Sequence, residues 1–234
     1  MTVVIVGASR GLGRALATGL ARGGHEVIGV ARTLPPESRG WIAADLSKPV
    51  EAAALIGAGV PESVDTVIWN VGVWEAAAFS PEYDFAAAGA AATAEIETLV
   101  ATNVTAAILG LRALLPTLTA HARPRVILTG STSGLRGSGR PEVAFGASKH
   151  ALTGIAEALR EGYRGDGLAV TTLQLGNLNT EDGLEVPERE AAARGAGTLI
   201  PVHDVVRIVA ALLELSPASF VREITLPALL DERF

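Results

Sequence analysis

The sequence contains no cysteine, which excludes disulfides and thiolate metal sites. Its four histidines, His25, His121, His150 and His203, are scattered without the helical spacing of a metal pair, so no metal is expected. Charged residues make up only 19% of the 234 residues, and the formal net charge is −6. That balance leaves no basic footprint for nucleic acid. No apolar run approaches the roughly 20 residues a membrane span needs, so no membrane partner is expected. The start, MTVVIVGAS, lacks a basic region and runs straight into a strand pattern. No signal peptide is read there, and the cytoplasm is the expected compartment. There is no Pro/Gly/Ser-rich linker and no internal repeat, so one domain over residues 1–234 is expected. Tyrosine is scarce: Tyr83 and Tyr163 are the only two.

Hydrophobic residues, by contrast, make up 49% of the chain, enough for a sizeable core. Strand and helix patterns alternate. TVVIVG, HEVIGVA, GWIAADL, VDTVIWN, RVILTG, LAVTTLQL and VREITL read as strands. GRALATGLARGG, an Ala-rich region from about Ala86 to Leu118, a segment from about Phe145 to Tyr163, and HDVVRIVAALLEL read as helices. This alternation predicts an α/β fold: a single-domain, Rossmann-like, doubly wound parallel sheet with helices on both faces. Residues 181–198 are polar and weakly patterned, and follow a strand's carboxyl end, where ligands bind in such sheets. A mobile substrate lid is expected at about 181–200. His203 and Asp204 are expected to cap the helix after Pro201.

The first motif is GASRGLG, with Gly7, Gly11 and Gly13 between a strand and a helix. Glycines there permit a tight turn and close approach of a pyrophosphate, and the helix N-terminus offers free N–H groups and the positive end of its dipole. The spacing G-x-x-x-G-x-G differs from the G-x-G-x-x-G of longer dehydrogenases. The second motif is GVARTL at the end of the second strand. An acidic residue there would bond a ribose 2′-hydroxyl and repel a 2′-phosphate. Here the position is Ala31, followed by Arg32, with Arg10 inside the glycine loop. Two guanidinium groups suit a phosphate, which favours NADP(H) over NAD(H).

These motifs and those that follow them resemble the short-chain dehydrogenase/reductase family over nearly the whole chain. VVIVGASRGLGRALA is similar to its cofactor loop, which implies contacts from Gly7, Ser9, Arg10, Gly11, Leu12 and Gly13. ADL implies Asp45 on the adenine amine and Leu46 against the ring. WNVG resembles the family's N-N-A-G, with Asn70 and Gly72 kept and Trp69 and Val71 substituted. ATNV resembles the helix that carries an active-site asparagine, here Asn103. ILTGSTSG resembles the end of the strand bearing the catalytic serine, and three residues back from Gly134 is Ser131. LGNLNT resembles the segment that holds the nicotinamide, implying Gly176, Leu178 and Thr180, with Leu175 replacing a proline. The ending PALLDERF replaces a commoner glycine-rich one.

In the family's chemistry, a serine orients the carbonyl, a tyrosine donates the proton, a lysine lowers the tyrosine's pKa and holds the ribose, and an asparagine supports a water chain. VAFGASKHAL aligns Lys149 with the lysine and Phe145 with the tyrosine. On a helix that four-residue spacing puts both on one face, but a phenylalanine has no proton to give. Tyr163 lies 18 residues further on, roughly 27 Å away along a helix. His150 points about 100° away from Lys149. Tyr83, Glu142 and Arg140 can border the pocket, and Trp69 and Trp74 can line it or serve the core. The resemblance implies an NADP(H)-dependent oxidoreductase for a small or medium carbonyl, alcohol or activated alkene, with an atypical donor site. The alternatives are an NADP(H)-binding sensor or partner protein without turnover, and an ordinary carbonyl reductase carrying an introduced Tyr-to-Phe change. It also implies a homodimer or homotetramer pairing the Ala/Leu-rich helix and the helix near Phe145.

Overall fold

The computed structural model describes residues 1–36, 38–86, 89–138 and 140–231. The N-terminal run forms β1 (Thr2–Val6), and its β-branched residues Val3 to Val6 are completely buried, as a central strand covered on both faces requires. Then come α1 (Gly11–Arg22), β2 (Glu26–Ala31), β3 (Ile42–Ala43), α2 (Pro49–Gly59) and β4 (Thr66–Trp69). After them run α3 (Ala90–Val100), one π-helical turn over Ala101–Thr105, α4 (Ala106–Thr119) and β5 (Arg125–Thr129). The second half contains α5 (Val143–Gly162), β6 (Ala169–Leu175), β7 (Leu178–Asn179), α6 (Glu188–Ala193), β8 (Ile200–Pro201), α7 (Val202–Glu214) and β9 (Glu223–Leu226).

The main sheet has the order β3-β2-β1-β4-β5-β6-β9, and every pairing is parallel. Strand order reverses between β1 and β4, which opens a crevice at their carboxyl ends. Two apolar cores flank the sheet. Ile56, Leu111, Leu114, Leu118 and Leu152 bring α2, α4 and α5 onto one face. Leu16, Leu20, Val205 and Val209 bring α1 and α7 onto the other. The expected doubly wound α/β architecture is therefore present.

Several local expectations need correction. The segment Ala91–Thr119 is, by length and composition, apolar enough to cross a membrane, contrary to the reading that no run approaches that size. Half of its most apolar window is buried inside the fold, where the helix covers the sheet. Residues 87 and 88 of the expected Ala-rich helix lie outside the described residues. His203 and Asp204 do not cap α7: they lie inside its first turn, where His203 Nε2 meets the Val186 carbonyl at 3.0 Å and Asp204 pairs with Arg207. The 181–200 segment carries more order than its composition suggests. It contains α6 and ends on the short β7–β8 pair. Asn179 Nδ2 donates to Asp182 Oδ2 at 2.7 Å and to the Ala191 carbonyl at 3.2 Å, and Arg194 pairs with Asp182.

Candidate functional site

The glycine turn leaves β1 with Gly7 and Ala8 both donating to the Val30 carbonyl, at 2.8 and 3.2 Å, which ties the turn to β2. Gly7 has φ +86°, and a Cβ there would run into the Asn70 carbonyl. A Cβ on Gly13 would run into the carbonyl of Gly7. The glycines thus let β1, β4 and the start of α1 come together, and Asn70 Nδ2 locks the junction by donating to the Gly7 carbonyl at 3.3 Å. The first turn of α1 contains no acidic residue, which keeps its N–H groups available to an anion.

A cleft of about 1530 Å³ opens over this junction. All the residues expected to touch the cofactor line it except Gly13, whose place is in the packing behind Gly7. Arg10 and Arg32 stand exposed at one end. Asp45 accepts from Ser47 Oγ at 2.9 Å and Ser47 N at 3.1 Å. These bonds, with a smaller contribution from Arg32, hold its carboxyl below the usual value. At the other end of the cleft stand Ser131, Lys149 and Phe145.

Lys149 is 4% exposed. Its Nζ donates to the Val71 carbonyl at 3.2 Å and the Thr129 carbonyl at 3.1 Å, leaving one of three ammonium protons. Burial lowers its pKa to about 8. Gly72 makes room for it, since a Cβ there would lie 3.0 Å from Nζ. Ser131, two residues past β5, is extended and caps a 3₁₀ turn over Thr132–Gly134, its Oγ accepting from Ser133 N at 3.1 Å. The Ser131 hydroxyl proton is uncommitted among the described residues, and its backbone N–H is fixed on Gln174 Oε1 at 3.1 Å.

Asn103 does not line the cleft. It sits on the π-helical turn, a feature frequent at functional sites, and is 2% exposed. Its amide brackets Val73, accepting from that N–H at 2.9 Å and donating to its carbonyl at 2.7 Å, and also donates to Ser148 Oγ at 3.0 Å. It therefore shapes the wall from behind.

The three possible alternative donors are also placed. Tyr163 packs against the α2/α4 core. His150 is exposed and bonds the Gly146 carbonyl. Tyr83 directs its hydroxyl to Glu75 Oε1 at 3.2 Å and accepts from Val143 N at 2.9 Å. Burial, helped by Glu75 and Glu142, raises the Tyr83 pKa, which makes it a poorer acid.

Sequence reasoning named Trp74, Glu142 and Arg140 as candidate pocket residues, and Trp74 and Arg140 do line the cleft, but it missed three relations among them and their neighbours. Trp74, Phe79 and Phe145 form a mutually edge-to-face cluster at the cleft, whereas Trp69 is wholly buried against Gly110. Glu75 and Glu142 are buried at the N-terminus of α5; Glu75 Oε1 accepts from Ala144 N at 3.0 Å and Phe145 N at 3.4 Å. Arg140, on the cleft, forms a buried ion pair with Asp231 at 3.1 Å. The only sequence signal for these was the proximity of Trp74, Glu142 and Arg140 to recognised motifs. Among the described residues, no group of three or more metal-ligating side chains is placed to hold a metal ion.

A solved metagenomic short-chain oxidoreductase in complex with NADP superposes with a TM-score of 0.75 at 26% identity, covering 98% of this chain and 97% of that one. An uncharacterized oxidoreductase of Myxococcus xanthus is 31% identical over 191 residues, 77% of this chain and 73% of its own. An NADPH-dependent pterin aldehyde reductase of Arabidopsis thaliana is 31% identical over 195 residues, 77% of this chain and 76% of its own. The family profile described as short chain dehydrogenase matches residues 1–191. With the glycine turn, the parallel sheet and the Ser131–Lys149 end of the cleft, this match makes the chain a member of the short-chain dehydrogenase family.

Proposed function

We propose that this protein is an NADP(H)-dependent oxidoreductase for a small or medium carbonyl, alcohol or activated alkene, in which Phe145 stands at the family's tyrosine position. The observation that carries this reading is the continuity of one cleft from the Gly7 turn and the two arginines to Ser131, Lys149 and Phe145. The residues present fit the cofactor. The turn is one that a Cβ on Gly7 would close, the α1 N-terminus suits a pyrophosphate, and Arg10 and Arg32 suit a 2′-phosphate. Bound NADPH supplies a hydride from its nicotinamide ring.

The chain's own groups do the rest. Lys149 turns its remaining N–H to the ribose, with its other two anchored on Val71 and Thr129. Ser131 donates a hydrogen bond from its uncommitted hydroxyl to the substrate oxygen, where negative charge grows. Asn103 holds Val73, and with it the loop after β4 that carries Trp74. The 181–200 segment, whose two ends meet in the β7–β8 pair and which lines the cleft with Glu181 and Leu199, would cover the substrate. Phe145 offers a ring but no proton, so proton delivery falls to water or to a substrate that needs none. An alkene substrate eases this demand, because its proton goes to carbon.

A second reading, an NADP(H)-binding sensor without turnover, is favoured by an observation on Phe145: its ring packs edge-to-face with the rings of Trp74 and Phe79. The experiment that separates the readings is NADPH titration together with NADPH oxidation against a panel of aldehydes, ketones, quinones and enones. Tight binding with turnover supports the oxidoreductase. Tight binding without turnover on any class supports the sensor.

A further inference from the structure

Phe145 meets Phe79 at a centroid distance of 5.3 Å and 87°, and Trp74 at 6.2 Å and 90°; Trp74 meets Phe79 at 5.8 Å and 69°. Three rings at near right angles form a corner, and all three line the cleft. Trp74 and Phe79 are 55% and 45% exposed and Phe145 only 5%, so the ring surface open to an organic cation is mainly that of the first two.

The charges behind the corner have the matching sign. Glu75 and Glu142 are 7% and 2% exposed. Each is bonded to the backbone of a corner residue: Glu75 accepts from Phe145 N, and Glu142 accepts from Phe79 N at 3.0 Å. Oε2 of each is buried without a hydrogen-bond partner, and neither carboxylate is in an ion pair among the described residues. Leaving one oxygen of a buried carboxylate without a hydrogen bond is costly, and a cation in the corner would offset part of that cost. Two cations nearby oppose this. Arg140 is already neutralised by Asp231. Lys149 lies 5.6 Å from the Phe145 centroid, one ammonium against two carboxylates.

We propose that the corner formed by Trp74, Phe79 and Phe145 is a cation subsite and that the substrate reduced here is an iminium ion. The proposal rests on the NADP(H)-oxidoreductase reading above. It removes the difficulty that Phe145 creates. The iminium carbon accepts the hydride from NADPH and a C–H bond forms. The C=N π pair becomes the nitrogen lone pair, leaving a neutral amine and NADP⁺. No proton is transferred, so no donor is required.

The test compares binding of choline with that of its neutral isostere 3,3-dimethyl-1-butanol by calorimetry on the intact protein. Choline is expected to bind on the order of tenfold more tightly. Glu75→Gln and Glu142→Gln keep an acceptor for the backbone N–H groups but should reduce that preference, as should Trp74→Ala. Equal affinities, or a preference that survives in the Glu75→Gln/Glu142→Gln double variant, would overturn the subsite. NADPH titration of the same samples separates the claims. NADPH binding without a choline preference overturns the cation site alone; a choline preference without NADPH binding overturns the oxidoreductase reading and the iminium step with it. In turnover, N-methyl-3,4-dihydroisoquinolinium should be reduced at least about tenfold faster than neutral 1-tetralone, a preference that Phe145→Tyr should narrow by speeding the ketone. A rate for the cation that rises with the new hydroxyl would contradict a proton-free step.

Discussion

Lys149 Nζ lies 5.6 Å from the ring centroid of Phe145, four residues earlier on α5. The ammonium therefore faces an aromatic ring that, on the proposed reading, stands where a proton donor would complete a reductase site. It is held by two backbone carbonyls and buried. On that reading, the lysine that would hold a cofactor and tune an acid stands beside a ring that cannot be an acid.

Burial lowers the Lys149 pKa from 10.5 to about 8. Between those two values the unfolded chain binds a proton that the folded chain has released, so stability from this group rises with pH across that window. Lys149→Met removes the titration. Denaturant unfolding of both proteins at pH 7.5 and pH 10 should show the parent gaining up to about 3 kcal/mol relative to the variant at the higher pH. A difference independent of pH would mean that Lys149 is not desolvated in the free protein.

Arg10 and Arg32 stand at the end of the cleft opposite Lys149. NADPH should bind much more tightly than NADH. Arg32→Ala should cost NADPH about 10- to 100-fold, the value of a charge-assisted contact, while NADH changes little. Fluorescence titration of both cofactors checks this, and equal affinities in the parent would sink the assignment.

The Arg140–Asp231 pair joins the loop before α5 to the C-terminal stretch, with side chains 9% and 4% exposed. Leu230 N also donates to the Gly197 carbonyl at 2.9 Å, so this stretch fastens the 181–200 segment. Asp231→Asn should cost about 3 kcal/mol by leaving a buried guanidinium without its charge partner. For a chain of this length that is a fall in Tm of about 6–12 °C. Arg140→Met combined with Asp231→Leu should recover much of the loss in a thermal melt.

On α5, Val143, Ala147 and Gly154 are exposed on one face, and on α4 Ile108 is 48% exposed. A two-fold pairing through these helices is the expected assembly. Light scattering at micromolar concentration should report a dimer or tetramer, and Ala147→Arg should dissociate it. A monomeric parent would rule the pairing out.

The strands were legible because parallel strands buried on both faces read as unbroken apolar runs, as in TVVIV. The glycine turn was legible because Gly7 and Gly13 occupy points where any Cβ meets a carbonyl. Glu75 was not, since its partners Ala144 and Phe145 lie 69 and 70 residues away, and a lone glutamate in sequence looks like a solvated charge. Arg140 and Asp231 are separated by 91 residues, and nothing local joins them. Asn103 was found by its motif, but its place behind the wall depends on the π-helical turn, which has no signature in composition. His203 and Asp204 resembled a cap by residue type alone, whereas α7 starts one residue earlier, at Val202.

The central claim is that this is a hydride-transfer site complete except for its proton donor. The most direct measurement is NADPH oxidation with neutral aldehydes and ketones by the parent and by Phe145→Tyr. A ring already occupies the position, 5% exposed, so one added oxygen needs little repacking. The account predicts a gain of about 10²- to 10⁴-fold in the tyrosine variant, abolished by Ser131→Ala. Strong turnover of neutral carbonyls by the parent, lost on Ser131→Ala but indifferent to Phe145→Tyr, would contradict it and show that another group donates the proton.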